Sequence, residues 1–391
     1  MKYNFDKKVD RSKNHSAKWS EMDRHFISND LIPLWVADMD FEVAPEIYEA
    51  MKEKLEQRIF GYVYRPDSYY QSACDWTKRR YGYEIDQKTL IHSPGVIPSI
   101  SLIIRLFTNS SDKILIQPPV YQPFSSVVKK NKRTLVTNPL KEVNGRYIID
   151  FDDFEEKCKD PDLKWFILCN PHNPVGRVWT KEELTRMAEI CLKYNVRVIS
   201  DEIWRDIVYK DYKFTPFASL SKEVEDITIT CFSPTKTFNI AGLQASFVQF
   251  PRKEELEAFQ DELAVLDIRR NNAFSLVAIE AGYRKGEGWL NALIDYLEEN
   301  YNFLERYIKE NIPKLKIIKP EGTYLVWLDF REFKLSDKEI SRLLQEKAKV
   351  ALQEGSIFGE EGRGFQRINI ACPRYLLEEA IVRIKNVFSK I

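Results

Sequence analysis

Three short segments of this chain carry side chains that do little apart and much together. Lys236 lies in Cys231-Phe232-Ser233-Pro234-Thr235-Lys236-Thr237-Phe238. Asp201 lies in Ser200-Asp201-Glu202-Ile203-Trp204, and Asn173 in Asn170-Pro171-His172-Asn173-Pro174-Val175-Gly176. Each follows a short apolar, strand-like run. A lysine ε-amine condenses with an aldehyde. An aspartate keeps a pyridine nitrogen protonated, so that the ring acts as an electron sink. An asparagine amide donates to a ring oxygen. Together these are the groups needed to hold pyridoxal 5′-phosphate (PLP), and the sequence reads as that of a PLP enzyme.

Each residue has a plainer alternative. Lys236 is one of 59 basic residues, most of which must be solvated. Its position after an apolar run, with hydroxyls at Ser233 and Thr235 to serve a phosphate, is odd for a surface lysine. Asp201 could merely cap a following helix over 202–208. However, a carboxylate ending a buried strand is costly unless it is paired. Asn173 could be turn chemistry alone. His172 beside it reads as a loop residue rather than a catalyst.

Further candidates surround these three. Ser93-Pro94-Gly95-Val96-Ile97-Pro98-Ser99 leads into an apolar helix over 99–107. A glycine turn at a helix start presents free N–H groups to an anion such as a phosphate. Tyr121, in Pro118-Pro119-Val120-Tyr121-Gln122-Pro123, could stack on a pyridine ring or could simply pack in the core. Arg367, in Gly364-Phe365-Gln366-Arg367-Ile368-Asn369, is suited to a two-pronged grip on an amino-acid carboxylate. A surface arginine is the alternative there, and Arg374 is its local competitor.

Composition narrows the class. At 391 residues the chain is long enough for two or three domains. Hydrophobic residues make up 44% and aromatics 13%, enough for a large core. Basic and acidic residues number 59 each, so nothing invites nucleic acid or an anionic membrane. The six cysteines are scattered, with no C-x-x-C pair, and read as buried thiols in a reducing compartment. No apolar stretch resembles a signal peptide or a membrane span. The expectation is a soluble cytoplasmic protein.

Strand-like runs at 114–116, 165–169, 196–200 and 227–232 alternate with helix-like segments such as 181–194, which opens on a capping box at Thr180. That alternation predicts a mostly parallel sheet flanked by helices, an α/β fold. Ligands of such sheets sit at the carboxyl ends of the strands, where Asn173, Asp201 and Lys236 all fall. Helical patterns also cover 45–58, 288–311, 335–348 and 376–390, and a strand covers 324–328. The division expected is an N-terminal arm over 1–45, a large cofactor-binding domain over 46–287 and a small α+β domain over 288–391.

These strings, in this order, resemble fold type I PLP enzymes of the aspartate aminotransferase superfamily. Within it the chain is similar to the MalY/PatB group of cystathionine β-lyases, which includes cystalysin-like C–S lyases. The group marks are Trp35-Val36-Ala37-Asp38-Met39-Asp40-Phe41, Phe60-Gly61-Tyr62, Gly95-Val96-Ile97, Gly322-Thr323-Tyr324-Leu325-Val326-Trp327 and Gly359-Glu360-Glu361-Gly362-Arg363-Gly364-Phe365. The resemblance implies that Lys236 carries PLP, Asp201 meets the pyridine nitrogen, Asn173 the ring oxygen, and Tyr121 the ring face. It implies that Val96, Ile97 and Ser233 hold the phosphate, joined by Tyr62 from the neighbouring subunit of a homodimer. It implies that Arg367, with the backbone near Ala37, holds the substrate carboxylate.

Two positions depart from the pattern. Trp204 stands where aminotransferases usually have tyrosine and these lyases have histidine or tyrosine. An indole N–H donates but neither accepts nor ionises, so support for the ring oxygen is altered. Gln244 stands where many aminotransferases have an arginine near the phosphate. The expected activity is β-elimination from cystathionine, cysteine or another S-substituted cysteine, giving a thiol, pyruvate and ammonia. Amino transfer is the alternative. A PLP-binding regulatory module is the rival from a different class, and the zero net charge speaks against its DNA-binding partner domain.

Overall fold

The computed structural model describes residues 3–11 and 13–391. Seven strands form the main sheet: β1 Leu90–Ser93, β2 Lys113–Ile116, β3 Thr134–Thr137, β4 Leu163–Cys169, β5 Arg197–Asp201, β6 Thr228–Phe232 and β7 Ser246–Gln249. Their spatial order is β1-β7-β6-β5-β4-β2-β3. Strands β2 to β6 pair in parallel, and only β7 runs against its neighbours β6 and β1. Strands buried on both faces are largely free of charged residues, and β6, Thr-Ile-Thr-Cys-Phe, carries none with every residue buried. In β4, Trp165, Ile167 and Cys169 enter the core on one face, while Phe166 and Leu168 enter the core on the other. Two-residue periodicity thus feeds two helical layers from one strand.

The helices start and stop for local reasons. Helix α1 (Pro45–Glu56) has proline in its first turn, where no N–H is needed. Helix α2 (Asp67–Tyr81) ends on Gly82 at φ 68°, a left-handed cap that glycine adopts without steric cost. Helix α3 (Val96–Phe107) begins three residues earlier than its apolar run predicts. Helix α4 (Lys181–Lys193) has both reciprocal bonds of the Thr180–Glu183 capping box. The long α5 (Glu287–Asn311) buries Leu290, Leu293, Ile294, Leu297, Tyr301, Leu304 and Ile308, a stripe of three- and four-residue steps. The segment predicted as a helix over 335–348 is Asp337–Arg342 followed by a π-turn over Leu343–Ala348.

A second sheet is antiparallel: β8 Lys316–Ile318, β9 Leu325–Asp329, β10 Gln353–Glu354 and β11 Phe365–Asn369, in the order β8-β9-β11-β10. The N-terminal segment packs beside it. Ile32–Pro33 pairs in parallel with Val350–Ala351, and the Asn369 amide donates to Leu34 O at 2.9 Å.

No helix follows Asp201. Residues 202–207 form turns instead. Asp201 Oδ1 accepts from the Ile203 amide at 3.0 Å, a local turn bond rather than a helix cap. The Glu202 side chain turns back to Ser200 Oγ at 3.0 Å and the Phe217 amide at 3.1 Å, which holds the chain out of a helical path.

Candidate active site

Strands β4, β5 and β6 end side by side, with Cys169 opposite Asp201 and Asp201 opposite Cys231. Their carboxyl ends therefore open into one place. There a cleft of about 240 Å³ is lined by Ala37, Gly95, Val96, Ile97, Tyr121, Asn173, Asp201, Trp204, Ser233 and Lys236. Every sequence-derived candidate but two lines it. Arg367 adjoins it through Asn173, and Tyr62 lies elsewhere.

Lys236 sits on a tight loop after β6. Phe238 N donates to Pro234 O, Ile240 N to Thr235 O, and Thr237 Oγ1 to the buried Asp206. Lys236 Nζ donates to Ala37 O at 2.6 Å, and the Tyr324 hydroxyl donates to the same oxygen at 3.1 Å. Burial brings the Lys236 amine down to about 8, opposed by the negative charges of Asp38 and Asp201 and aided by Arg367. The ammonium stands 5.8 Å from the Trp204 ring centroid.

Asp201 ends β5 in a fully buried position. Burial lifts its carboxyl to about 7, and neighbouring Glu202 adds to the rise while Lys236 opposes it. Among the described residues only the Ile203 amide donates to it. A buried carboxylate with one neutral donor lacks the cation that would balance it.

Arg367 shows the converse. It lies in β11, buried, with Nη1 on Asn173 Oδ1 at 3.0 Å and Nη2 on Trp35 O at 2.8 Å. Its Nε has no acceptor among the described residues. Its guanidinium stacks 4.9 Å from the Phe358 ring. Burial brings it down to about 10, opposed by Tyr121 and Tyr324. No carboxylate pairs with it among the described residues. Arg374 behaves differently: it opens helix α6 (Arg374–Phe388), and its Nε donates to Asn300 Oδ1 at 2.7 Å.

On the same cleft, α3 starts directly after Gly95, with no side-chain cap on its first amides. A helix start left uncapped in this way attracts an anion. Ser233 Oγ, nearby, stands 2.8 Å from Thr235 Oγ1 and donates to Ala245 O at 2.6 Å. Tyr121 lines the cleft and meets Phe124 edge-on at 5.9 Å. Trp204 meets Tyr324 edge-on at 4.7 Å. Gln244, in a left-handed conformation at φ 48°, also lines the cleft.

The Asn173 loop is pinned to the second sheet. Gly176 O accepts from both Glu321 N and Gly322 N. Gly176 has φ 73°, and a Cβ there would meet Pro320 at 2.9 Å, so only glycine fits. The fully buried Arg177 clasps Glu321 at 2.9 Å across the same junction.

Tyr62 is 93% exposed, its ring 5.0 Å from the Arg270 guanidinium. Tyr324, Cys169 and Ile203 escaped the sequence reading. Tyr324 lies in one of the group-marking strings, which was its only signal. Cys169 and Ile203 are apolar neighbours that follow from the strand ends alone.

The donor set fits PLP. A buried carboxylate suits a pyridinium, a helix start and two hydroxyls suit a phosphate, and a lysine with a lowered pKa lines the same cleft. The free side of Arg367 fits a carboxylate. The comparisons agree. The chain is 43% identical to cystathionine beta-lyase PatB of Bacillus subtilis (strain 168), over 99% of this chain and all of that one. A PLP-bound protein of Clostridium difficile 630, provisionally named an aminotransferase, superposes with a TM-score of 0.97 at 56% identity, covering 99% of this chain and 100% of that one. The PLP-bound C-S lyase of Staphylococcus hominis superposes with a TM-score of 0.92 at 34% identity, covering 99% and 98%. The aminotransferase class I and II family matches residues 29–384, and with the strand-end cleft and its lysine, this chain belongs to that family.

Proposed function

We propose that the chain is a PLP-dependent carbon–sulfur β-lyase acting on cystathionine, cysteine or other S-substituted cysteines. One observation carries the reading: among the described residues neither buried Asp201 nor buried Arg367 forms an ion pair, and both act electrostatically on the buried Lys236. A pyridinium and an α-carboxylate would balance them. The full-length likeness to a cystathionine beta-lyase and to a C-S lyase supports elimination at sulfur.

Bound PLP would supply an electron sink for the charge left at Cα, which allows a thiolate to leave Cβ. The protein supplies the rest. Lys236 would hold the cofactor through its Nζ and would move the proton at the substrate Cα. An amine near 8 is partly unprotonated at neutral pH, as a general base must be. Asp201 would hold the proton on the pyridine nitrogen. Asn173 gives its Oδ1 to Arg367, which leaves its NH2 group for the ring oxygen. Tyr121 would cover the ring face, and Trp204, lining the same cleft, would support the ring oxygen. The amides of Val96 and Ile97, after Gly95, and the hydroxyl of Ser233 would hold the phosphate. Arg367, with the backbone around Ala37, orients the substrate carboxylate.

We extend the proposal to a homodimer in which Tyr62 reaches the partner's phosphate. An apolar groove lined by Val43, Tyr48, Met51, Leu55, Leu243 and Phe274 supports it. Phe60 continues that groove, packing 5.8 Å from Phe274. Apolar patches of this kind mark protein interfaces. The division at residues 46 and 288 into arm, large domain and small domain belongs to the same proposal. Six buried free cysteines support a cytoplasmic location. No helix among the described residues is long and apolar enough to cross a membrane.

Amino transfer is the second reading, favoured by the Clostridium difficile likeness. A substrate panel separates the two. L-Cystathionine should yield pyruvate with no keto acid present. Amine transfer that depends on an added keto acid, without pyruvate release, would overturn the lyase reading.

A further inference from the structure

The segment from Trp35 to Met39 is held in an unusual way: each of its five carbonyls accepts a side-chain hydrogen bond. Trp35 O takes Arg367 Nη2 at 2.8 Å, and Val36 O takes Asn369 Nδ2 at 2.7 Å. Ala37 O takes Lys236 Nζ and the Tyr324 hydroxyl. Asp38 O takes Asn369 Nδ2 at 2.6 Å and Lys18 Nζ at 3.3 Å. Met39 O takes Arg11 Nη1 and Asn239 Nδ2, both at 3.1 Å. The donors fall into three groups. Lys236 lines the cleft and Arg367 and Tyr324 stand beside it. Asn239 and Asn369 come from the loop after Lys236 and from the end of β11. Arg11 and Lys18 come from the N-terminal segment, outside the cleft.

The outer group is built on a buried charge network. Lys18 is fully buried, and its Nζ meets Asp40 Oδ2 at 2.6 Å. Arg11 meets Asp40 Oδ1 at 2.7 Å, Asp38 Oδ2 at 3.2 Å and Ser16 Oγ at 2.7 Å. Trp19 Nε1 adds a bond to Asp40 Oδ1 at 2.8 Å, and Trp35 Nε1 returns one to Lys18 O at 3.0 Å. Buried ion pairs add little net stability, because desolvation offsets their attraction. What they do supply is direction, since each partner must stay where the other needs it. Here Asp38 lies within the segment and Asp40 directly follows it, so both acids sit a few residues from Ala37 of the cleft and from the Trp35 carbonyl that holds Arg367.

We propose that Lys18 and Arg11 are positioning residues for substrate: by gripping Asp38 and Asp40 they fix the Trp35–Met39 segment, and thereby the Trp35 carbonyl that aims Arg367. The effect falls on the carboxylate end of the substrate, where Arg367 leans on Trp35 O. It does not fall on the phosphate end, which is built from α3 and the Ser233 loop. The inference rests on the proposed role of Arg367, and the test separates the two.

The test titrates the PLP-loaded enzyme with L-alanine and with ethylamine, which lacks the carboxylate, following cofactor absorbance. Lys18→Met keeps the shape and removes the charge. It should weaken L-alanine about tenfold while leaving ethylamine unchanged, since a clamp loosened by a fraction of an ångström loses oriented binding. Arg11→Gln, in a less buried place, should act in the same direction with a smaller effect, and Lys18→Arg should recover part of the loss. KM for L-cystathionine should rise with kcat nearly unchanged. If Lys18→Met does not fold, Arg11→Gln decides. Normal L-alanine binding in the variants, or equal weakening of both ligands, overturns the proposal. A wild-type enzyme that does not prefer L-alanine to ethylamine would remove the carboxylate role of Arg367, and this inference with it.

Discussion

Arg367 Nη1 donates to Asn173 Oδ1 at 3.0 Å, joining residues 194 apart in the chain. The bond links the loop after β4, in the large sheet, to β11 in the second sheet. It sets the guanidinium before any ligand arrives, with Trp35 O holding its other prong. Preorganisation of this kind lowers the ordering cost of binding. It also couples the residue proposed for the ring oxygen to the residue proposed for the substrate carboxylate.

Arg367→Ala should therefore raise KM for every α-amino acid tried. A charge-assisted hydrogen bond contributes roughly 1.5–3 kcal/mol, about one to two decades in binding. Cofactor content should survive. Arg374→Ala should change KM little, because its Nε is engaged by Asn300 on α5. Steady-state kinetics on the two variants decide it, and the reverse ranking would move the carboxylate clamp to Arg374.

Lys236→Ala should abolish turnover. Loss of a general base alone costs about 10²–10⁴-fold, and the covalent attachment goes with it. In the native protein, borohydride reduction followed by peptide mapping should leave the cofactor on the peptide containing Lys236. Label on any other lysine would refute the attachment.

Asp201→Asn should bind cofactor and lose most activity, since a neutral amide cannot hold the pyridinium proton. It should also change how stability depends on pH in the cofactor-free protein. The folded carboxyl titrates near 7, above its ordinary 3.8. Between those values the folded state binds more protons than the unfolded, so stability falls as pH rises. The loss is on the order of a few kcal/mol. Thermal melts from pH 4 to 8 should show a shallower fall in the variant. Some slope should remain, because burial raises Glu202 to about 7 as well. Identical melting profiles for variant and wild type would show that Asp201 carries no such strain.

The parts of the site that were legible in the sequence share a local cause. Asn173, Asp201 and Lys236 each follow an apolar run, and a parallel sheet puts all such ends on one edge. The helix expected after Asp201 failed because Glu202 bonds to Ser200 and the Phe217 amide, and the latter partner is 15 residues away. Nothing in the sequence of the N-terminal arm marks a buried lysine, yet Lys18 is buried. Its partner Asp40 lies 22 residues on, and no periodicity reports a pairing of that kind. The Tyr324 bond to Ala37 O spans 287 residues and was equally invisible. Local order was readable, while contacts that close over long loops were not.

The proposed sharing of active sites makes the most demanding prediction. Tyr62 is 93% exposed and does not line its own cleft. If it serves a partner's phosphate, Tyr62→Ala and Lys236→Ala homodimers should each be impaired. Subunits mixed and allowed to exchange should regain activity. A hybrid dimer holds one site with native Lys236 from one chain and native Tyr62 from the other, and a second site lacking both. Random exchange makes half the dimers hybrid, each with one good site, so recovery should approach about a quarter of wild type. Native mass spectrometry can verify the exchange. With exchange verified and no recovery, each chain would be building its own site, and the exposed Tyr62 would need another explanation.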